Sequence, residues 1–385
     1  MKRINLFTLL IIFLLLSVST KTKAYYEIID LGTVAGSSSS FRSWAYSINN
    51  NGEIVGFSET NSFDYYYRAC SLDSSGNGNN VDLGALEGYR DSKARSVNEN
   101  GQIVGNANNG NEYTNCRATL FGPNGTSSNI DLGTLPDCAY SEAWSNNNSG
   151  QIVGWASNSS GTKLTLFRAA LFDQSGDGNN IDLGTLGGDY GRAYSINDYG
   201  QIVGVASDSL DDFYATLFDA SGDGNNINLG TLPGYDYQSH AYCINNHGQI
   251  VGCAYDSGSR HHAALFDSSG NNIDLGTLTG YLNGSALSIN DNGQIVGYSY
   301  DQSNGRCAAL FDPTGNGNNI DLNTLIDPDS GWFLEYAYSI NDQGWIVGTG
   351  INPDGCYTRG FLLTPEPATV LLFGLGGLLI RRRRK

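Results

Sequence analysis

Between Tyr25 and Thr364, apolar residues come in short runs broken every few positions by Gly, Asn, Asp or Ser. Runs of that length suit β-strands, and the breakers suit tight turns. The pattern repeats. Asp-Leu-Gly-Thr-Leu or a close variant begins at Asp30, Asp82, Asp131, Asp182, Asn228, Asp274 and Asp321. Gly-Gln-Ile-Val-Gly or a variant begins at Gly52, Gly101, Gly150, Gly200, Gly248, Gly293 and Gly344. A third element, typified by Arg168-Ala169-Ala170-Leu171-Phe172-Asp173, follows each of the second. Seven units of about 48 residues therefore fill residues 25–364, and repetition at that period marks a repeat architecture.

Each unit reads as four strands. Strand a is typified by Asn179 to Leu183, strand b by Ala193 to Asn197, strand c by Gln201 to Val205 and strand d by Arg168 to Phe172. Asn-Asp-Tyr-Gly at Asn197 to Gly200 joins b to c as a tight hairpin, with Gly where φ must be positive. Four short strands repeated seven times predict an all-β fold, a seven-bladed β-propeller with one sheet per blade, with an open β-solenoid as the alternative. The chain opens on a strand a (Glu27 to Leu31) and closes on a strand d (Arg359 to Leu363), so the two termini can complete one blade together. Strand parity leaves the blade boundary open. No helix is expected outside the two ends.

Those ends have a different pattern. Met1 to Ala24 has Lys2 and Arg3, an apolar run from Leu6 to Val18, and small residues at Thr22 and Ala24, the form of a cleavable signal peptide. At the other end Pro365-Glu366-Pro367 precedes the uncharged Ala368 to Ile380, then Arg381, Arg382, Arg383, Arg384 and Lys385. A 13-residue helix is about 20 Å long, short of a ~30 Å hydrocarbon core, and the cations hold its end on the cytoplasmic side.

Composition sharpens the picture. Gly is 50 of 385 residues and charged residues only 15%, against a usual ~25%. The formal charge of −17 excludes nucleic acid as a natural partner. Removing both ends takes away nine cations and leaves −26. The seven Cys (Cys70, Cys116, Cys138, Cys243, Cys253, Cys307 and Cys356) sit at different places in different units, so no disulfide framework repeats.

The C-terminal segment at residues 365–385 resembles the PEP-CTERM sorting signal of Gram-negative bacteria that make exopolysaccharide. That resemblance implies transient insertion in the inner membrane, processing by an exosortase, and an extracellular or cell-surface destination. The units at 25–364 resemble the HAF family of extracellular repeats, although His262-Ala263-Ala264 and Arg359-Gly360-Phe361 replace its name-giving His-Ala-Phe. That family carries no agreed activity.

No nucleophile elbow, phosphate loop or dinucleotide fingerprint stands in a suitable setting. The expectation is a non-enzymatic exported protein that binds exopolysaccharide or another envelope component, with a polysaccharide hydrolase or lyase as the rival. Repetition places equivalent residues on circles. One circle opens strand d with Arg68, Arg117, Arg168, Tyr214, His262, Cys307 and Arg359; its four Arg can grip uronate or sulfate, or pair with a local Asp. A second comprises Tyr46, Arg95, Trp144, Tyr194, Tyr242, Leu287 and Tyr338, which strand alternation assigns to packing between blades. The d–a loops, as at Asp173, Ser175 and Asp177 or Asp219, Ser221 and Asp223, match the start of calcium loops, and weakly bound Ca2+ is the cofactor they suggest, against a plain hairpin. Hairpin turns centred on Asn246–His247 and Ser257–Gly258 place His240 and His262 opposite Cys253, a zinc-like trio. Position 240, however, is Trp, Lys, Glu, Arg, Ser or Tyr elsewhere, the mark of an ordinary exposed site.

Overall fold

The computed structural model describes residues 26–34, 41–60, 66–110, 115–122, 128–160, 163–303, 305–354 and 358–366. Ala24, Pro367, Arg381 to Arg384 and Cys356 lie outside them. The described residues are all-β, with short antiparallel sheets and two 3-10 turns at Leu322–Thr324 and Pro328–Ser330.

Each sheet is ordered b–c–d–a, so strand a belongs with the b, c and d that precede it in the chain. Ser43–Ile48, Ile54–Glu59, Tyr67–Leu72 and Val81–Gly84 form the first. The last takes Phe333–Ile340, Ile346–Ile351 and Thr358–Pro365, and its fourth strand is Tyr26–Asp30 from the other end of the chain, with Tyr26 opposite Pro365. A parallel bridge between Phe167 and Tyr190 links the third and fourth groups into one eight-stranded sheet. Strand a is shorter than its sequence suggests, only Ile181–Asp182 in the third group. The Asn before it is diverted: Asn180 donates through Nδ2 to Leu132 O and Thr134 O of the preceding group while its Oδ1 accepts from Asp173 N.

Successive sheets pack face to face through apolar layers. Val55, Ala69 and Leu83 of the first sheet meet Ala94, Val97, Ile103 and Phe121 of the second. Leu31, Val347 and Leu362 of the last meet Ala45, Ile48, Ile54 and Cys70 of the first. Alanine at the centre of each layer lets the backbones approach.

The repeated Asn of the b–c turn does two jobs. Its Oδ1 closes its own turn, as Asn147 does by accepting from Ser149 N and Gln151 N. Its Nδ2 reaches the next group: Asn49 donates to Asn98 O, Asn98 to Asn147 O, Asn147 to Asn197 O, and Asn197 to Asn245 O. Asn245 then donates to Asn290 O, Asn290 to Asn341 O, and Asn341 back to Asn49 O. All seven donors are buried and the distances are 2.8–3.1 Å.

The two glycines of Gly-Gln-Ile-Val-Gly have separate causes. The first takes φ of 74–81° in all seven turns. The second lies where a Cβ would stand 1.8–2.0 Å from a carbonyl oxygen of strand b. Beside it each strand b carries a bulge, at Tyr46, Arg95, Trp144, Tyr194, Tyr242, Leu287 and Tyr338. A bulge breaks strict alternation at these positions, and Tyr46, Trp144, Tyr194, Tyr242 and Tyr338 still meet counterparts on the neighbouring sheet.

Candidate functional site

The two ends of the strands differ in chemistry. None of the Lys or Arg residues between 25 and 364 lies in a b–c turn or a d–a loop. At the b–c end the second residue of each turn hands its backbone N–H to the side chain of the next. Asn50 donates to Glu99, Glu99 to Asn148, Asn148 to Asp198 and Asp198 to Asn246. Asn246 donates to Asp291, Asp291 to Asp342, and Asp342 to Asn50. These residues rim a depression with about 640 Å³ of empty space, partly open to solvent. Burial, followed by the charges of Asp342 and Asp198, pushes the Glu99 carboxyl above its ordinary value. The rim's hydrogen-bonding capacity is largely spent on its own turns.

At mid-height the bulge residues touch one another from sheet to sheet. Tyr338 meets Tyr46 at 4.9 Å, Trp144 meets Tyr194 at 5.0 Å, and Tyr194 meets Tyr242 at 5.7 Å between ring centroids. The Arg95 guanidinium sits over Tyr46 (5.0 Å) and Trp144 (4.9 Å), and is paired with the buried Glu142 at 2.8 Å. All are half-buried. Burial pushes the Tyr242 and Tyr338 phenols well above their usual value, so both stay neutral.

Toward the a–b and c–d end, aromatic clusters hold cations between neighbouring sheets. Trp44 stacks on Phe57 at 4.4 Å, Tyr67 meets both edge-on, and Lys93 Nζ lies over Phe57 and Tyr67 at 4.9 and 5.5 Å. Arg192 lies 4.1 Å over Phe167, with Trp155 and Tyr190 at 5.2 and 5.3 Å. The exposed Arg306 lies over Tyr300 and Tyr336, and Tyr336 stacks on Tyr338 at 5.2 Å. Each geometry is a cation–π contact. The position shared by Trp44, Lys93, Glu142, Arg192, His240, Ser285 and Tyr336 is therefore not an ordinary exposed site. Glu142 and Ser285 are buried. Burial, with Arg192 and His261 nearby, lowers the His240 imidazole to about 4.

Three of the four Arg residues that open strand d pair with a local carboxylate. Arg68, Arg117 and Arg168 pair with Asp82, Asp131 and Asp182 of strand a, and Arg359 is buried. The d–a loops are also internally bonded. Asp173 accepts from Ser175 N, Ser175 Oγ and Asn179 Nδ2, while Asp177 N bonds Ser175 Oγ. Asp219, Ser221 and Asp223 repeat the arrangement. These bonds hold Asp173 and Asp219 below the usual carboxylate range.

The zinc-like trio is not brought together. His240 does oppose Cys253, but Cys253 opposes Ala263, and His262 opposes Ala254. The c–d turn is centred on Gly258, with Ser259 at φ 65°. That shift is one register step, which sends a side chain to the other face. His262 there meets Asp274 and Tyr235. The six described cysteines are free thiols. Among the described residues no group of three His, Cys, Asp or Glu is placed to hold a metal.

Strand d of the last sheet runs directly into the C-terminal signal, with Pro365 still paired to Tyr26 and Glu366 exposed. Residues 363–385 match the PEP-CTERM protein-sorting motif. The motif marks the chain for export and sorting to the cell surface, with processing by an exosortase. No curated protein matches the chain. No helix among the described residues is long and apolar enough to cross a membrane.

Proposed function

We propose that this is an exported cell-surface or matrix protein whose HAF-type repeats close into a seven-bladed β-propeller and bind exopolysaccharide. The two hydrogen-bond circuits that return to Asn49 and Asn50, and the last sheet completed by Tyr26–Asp30, support closure. Closure would place the bulge residues around a central channel, lead the aromatic clusters to one mouth, and leave the amide–carboxylate rim at the other.

The observation that carries the binding reading is the run of buried and half-buried aromatics with Lys93, Arg95, Arg192 and Arg306 over their faces. Ring faces pack against the apolar faces of sugars, and guanidinium groups take carboxylates bidentately. The sorting motif would deliver the protein to the compartment where exopolysaccharide accumulates. Passing protein recovered from the host surface over immobilised host exopolysaccharide tests the reading. Retention is expected; elution in the void volume would reject it.

A further inference from the structure

His262 occupies the place where the first three sheets have Arg, and the change creates a constellation those sheets lack. His262 Nε2 is 2.7 Å from Tyr235 Oη, and Nδ1 is 3.0 Å from both oxygens of Asp274. Tyr235 and His262 also stack, at 4.1 Å and 29°. The Asp274 carboxylate, which also accepts from Gly276 N at 2.7 Å, can only accept, so Nδ1 carries the imidazole proton and Nε2 is left to accept from the phenol. A hydroxyl, a base and a carboxylate that orients the base form the general arrangement for moving a proton at a hydroxyl oxygen.

The site is reachable. The His262 side chain is 23% exposed, and Tyr235 lies in the a–b turn between the exposed Gly234 and Asp236. Arg260, 62% exposed, acts electrostatically on Tyr235 from the adjoining c–d turn, while Asp256 holds part of its guanidinium. Burial, then the charge of Asp274, pushes the phenol up, so Tyr235 rests protonated. Burial works to raise Asp274, but the hydrogen bonds from His262 and the Gly276 N–H help outweigh it and keep the carboxylate ionised.

We propose that Tyr235, His262 and Asp274 form a proton relay for β-elimination in a uronate-containing polysaccharide, with Arg260 receiving the uronate carboxylate. This goes beyond the binding role and rests on it only for the polymer class. A proton on the carbon next to a carboxylate becomes acidic when a cation holds that carboxylate. Tyr235 Oη takes the C5 proton as its own proton passes to His262 Nε2, and Asp274 stabilises the imidazolium. The C5–H electron pair becomes the C4–C5 double bond, and the C4–O bond breaks toward the leaving sugar. The leaving oxygen then takes its proton from Tyr235, which recovers one from His262. The protein ends unchanged, and no oxidant or reductant is consumed. Glycoside hydrolysis suits the site less, because both Asp274 oxygens already accept from His262 and a hydrolase needs two available carboxyl groups.

The test uses protein recovered from the host surface, incubated separately with polygalacturonate, alginate and the host exopolysaccharide. Ultraviolet absorbance of the conjugated C4–C5 double bond is followed. The expected result is product from at least one polymer, reduced about 100-fold or more in Tyr235→Phe and in His262→Arg. His262→Arg restores the Arg–Asp pair of the first three sheets, so thermal melting will show an intact fold. Absence of unsaturated product from all three polymers overturns the relay, as does a His262→Arg protein that is folded and fully active. Retention on immobilised polysaccharide, measured in parallel, reports separately on the binding role.

Discussion

At the residue scale, polar side chains of the b–c turns act as structural joints. Asn147 satisfies two backbone N–H groups of its own turn and one carbonyl of the next. Replacing it with Ala orphans those buried groups, and we expect a loss of about 2–3 kcal/mol in denaturant unfolding. The neighbouring Asn148→Ala, at an exposed position, should cost less. His240 makes a second residue-level prediction. Its imidazole titrates near 4 in the folded protein against an ordinary 6.5. His261, beside it, is also lowered to about 4 by burial and by the charge of His262. The unfolded chain therefore binds protons that the folded chain refuses, and stability should fall as pH drops from 6.5 toward 4. The groups facing His240 are Tyr242, Cys253, Tyr255, His261 and Arg192. His240→Asn should remove about half of that pH slope, as read from melting temperature; an unchanged slope would show that His240 is not buried neutral.

At the scale of elements, the repeated signatures proved to be joints more than strands. The second glycine of Gly-Gln-Ile-Val-Gly exists because strand b bulges toward it. Gly204→Ala should thus cost about 3 kcal/mol, far more than an Ala at an ordinary strand position. The strands and hairpins were legible because Gly and Asn recur at fixed offsets. The bulge was not, because it is a backbone irregularity that no residue type announces. Tyr46, Trp144, Tyr194 and Tyr338 do pack between sheets, as alternation suggests, whereas the circle of Trp44, Lys93, Arg192 and His240 reads from the sequence as mere surface. The Tyr235–His262–Asp274 contact was missed for a related reason: a one-residue difference in the c–d turn sends His262 to the opposite face. The strand Tyr26–Asp30 is the element most exposed to test. Deleting it uncovers the edge Thr358–Pro365, with Phe361, Leu362 and Leu363 buried beneath. We expect a large fall in melting temperature and concentration-dependent association, followed by light scattering.

On the scale of the whole molecule, the sorting motif begins inside the last strand, and the start of the described chain lies beside it. If exosortase processing removes the tail, peptide mass spectrometry on protein from the host should find no peptide reaching Lys385. Cations confined away from the b–c turns and d–a loops give the two ends of the body separate chemistry on a strongly acidic chain. The binding proposal therefore predicts that affinity resides at one end only. Affinity electrophoresis through gels containing host exopolysaccharide measures this most directly, comparing wild type with Trp44→Ala/Tyr336→Ala and with Asn148→Ala/Asp198→Asn. Retardation of the wild type and of the b–c rim variant, lost in the aromatic variant, is the predicted result. Equal mobility of all three proteins with and without polysaccharide would contradict it.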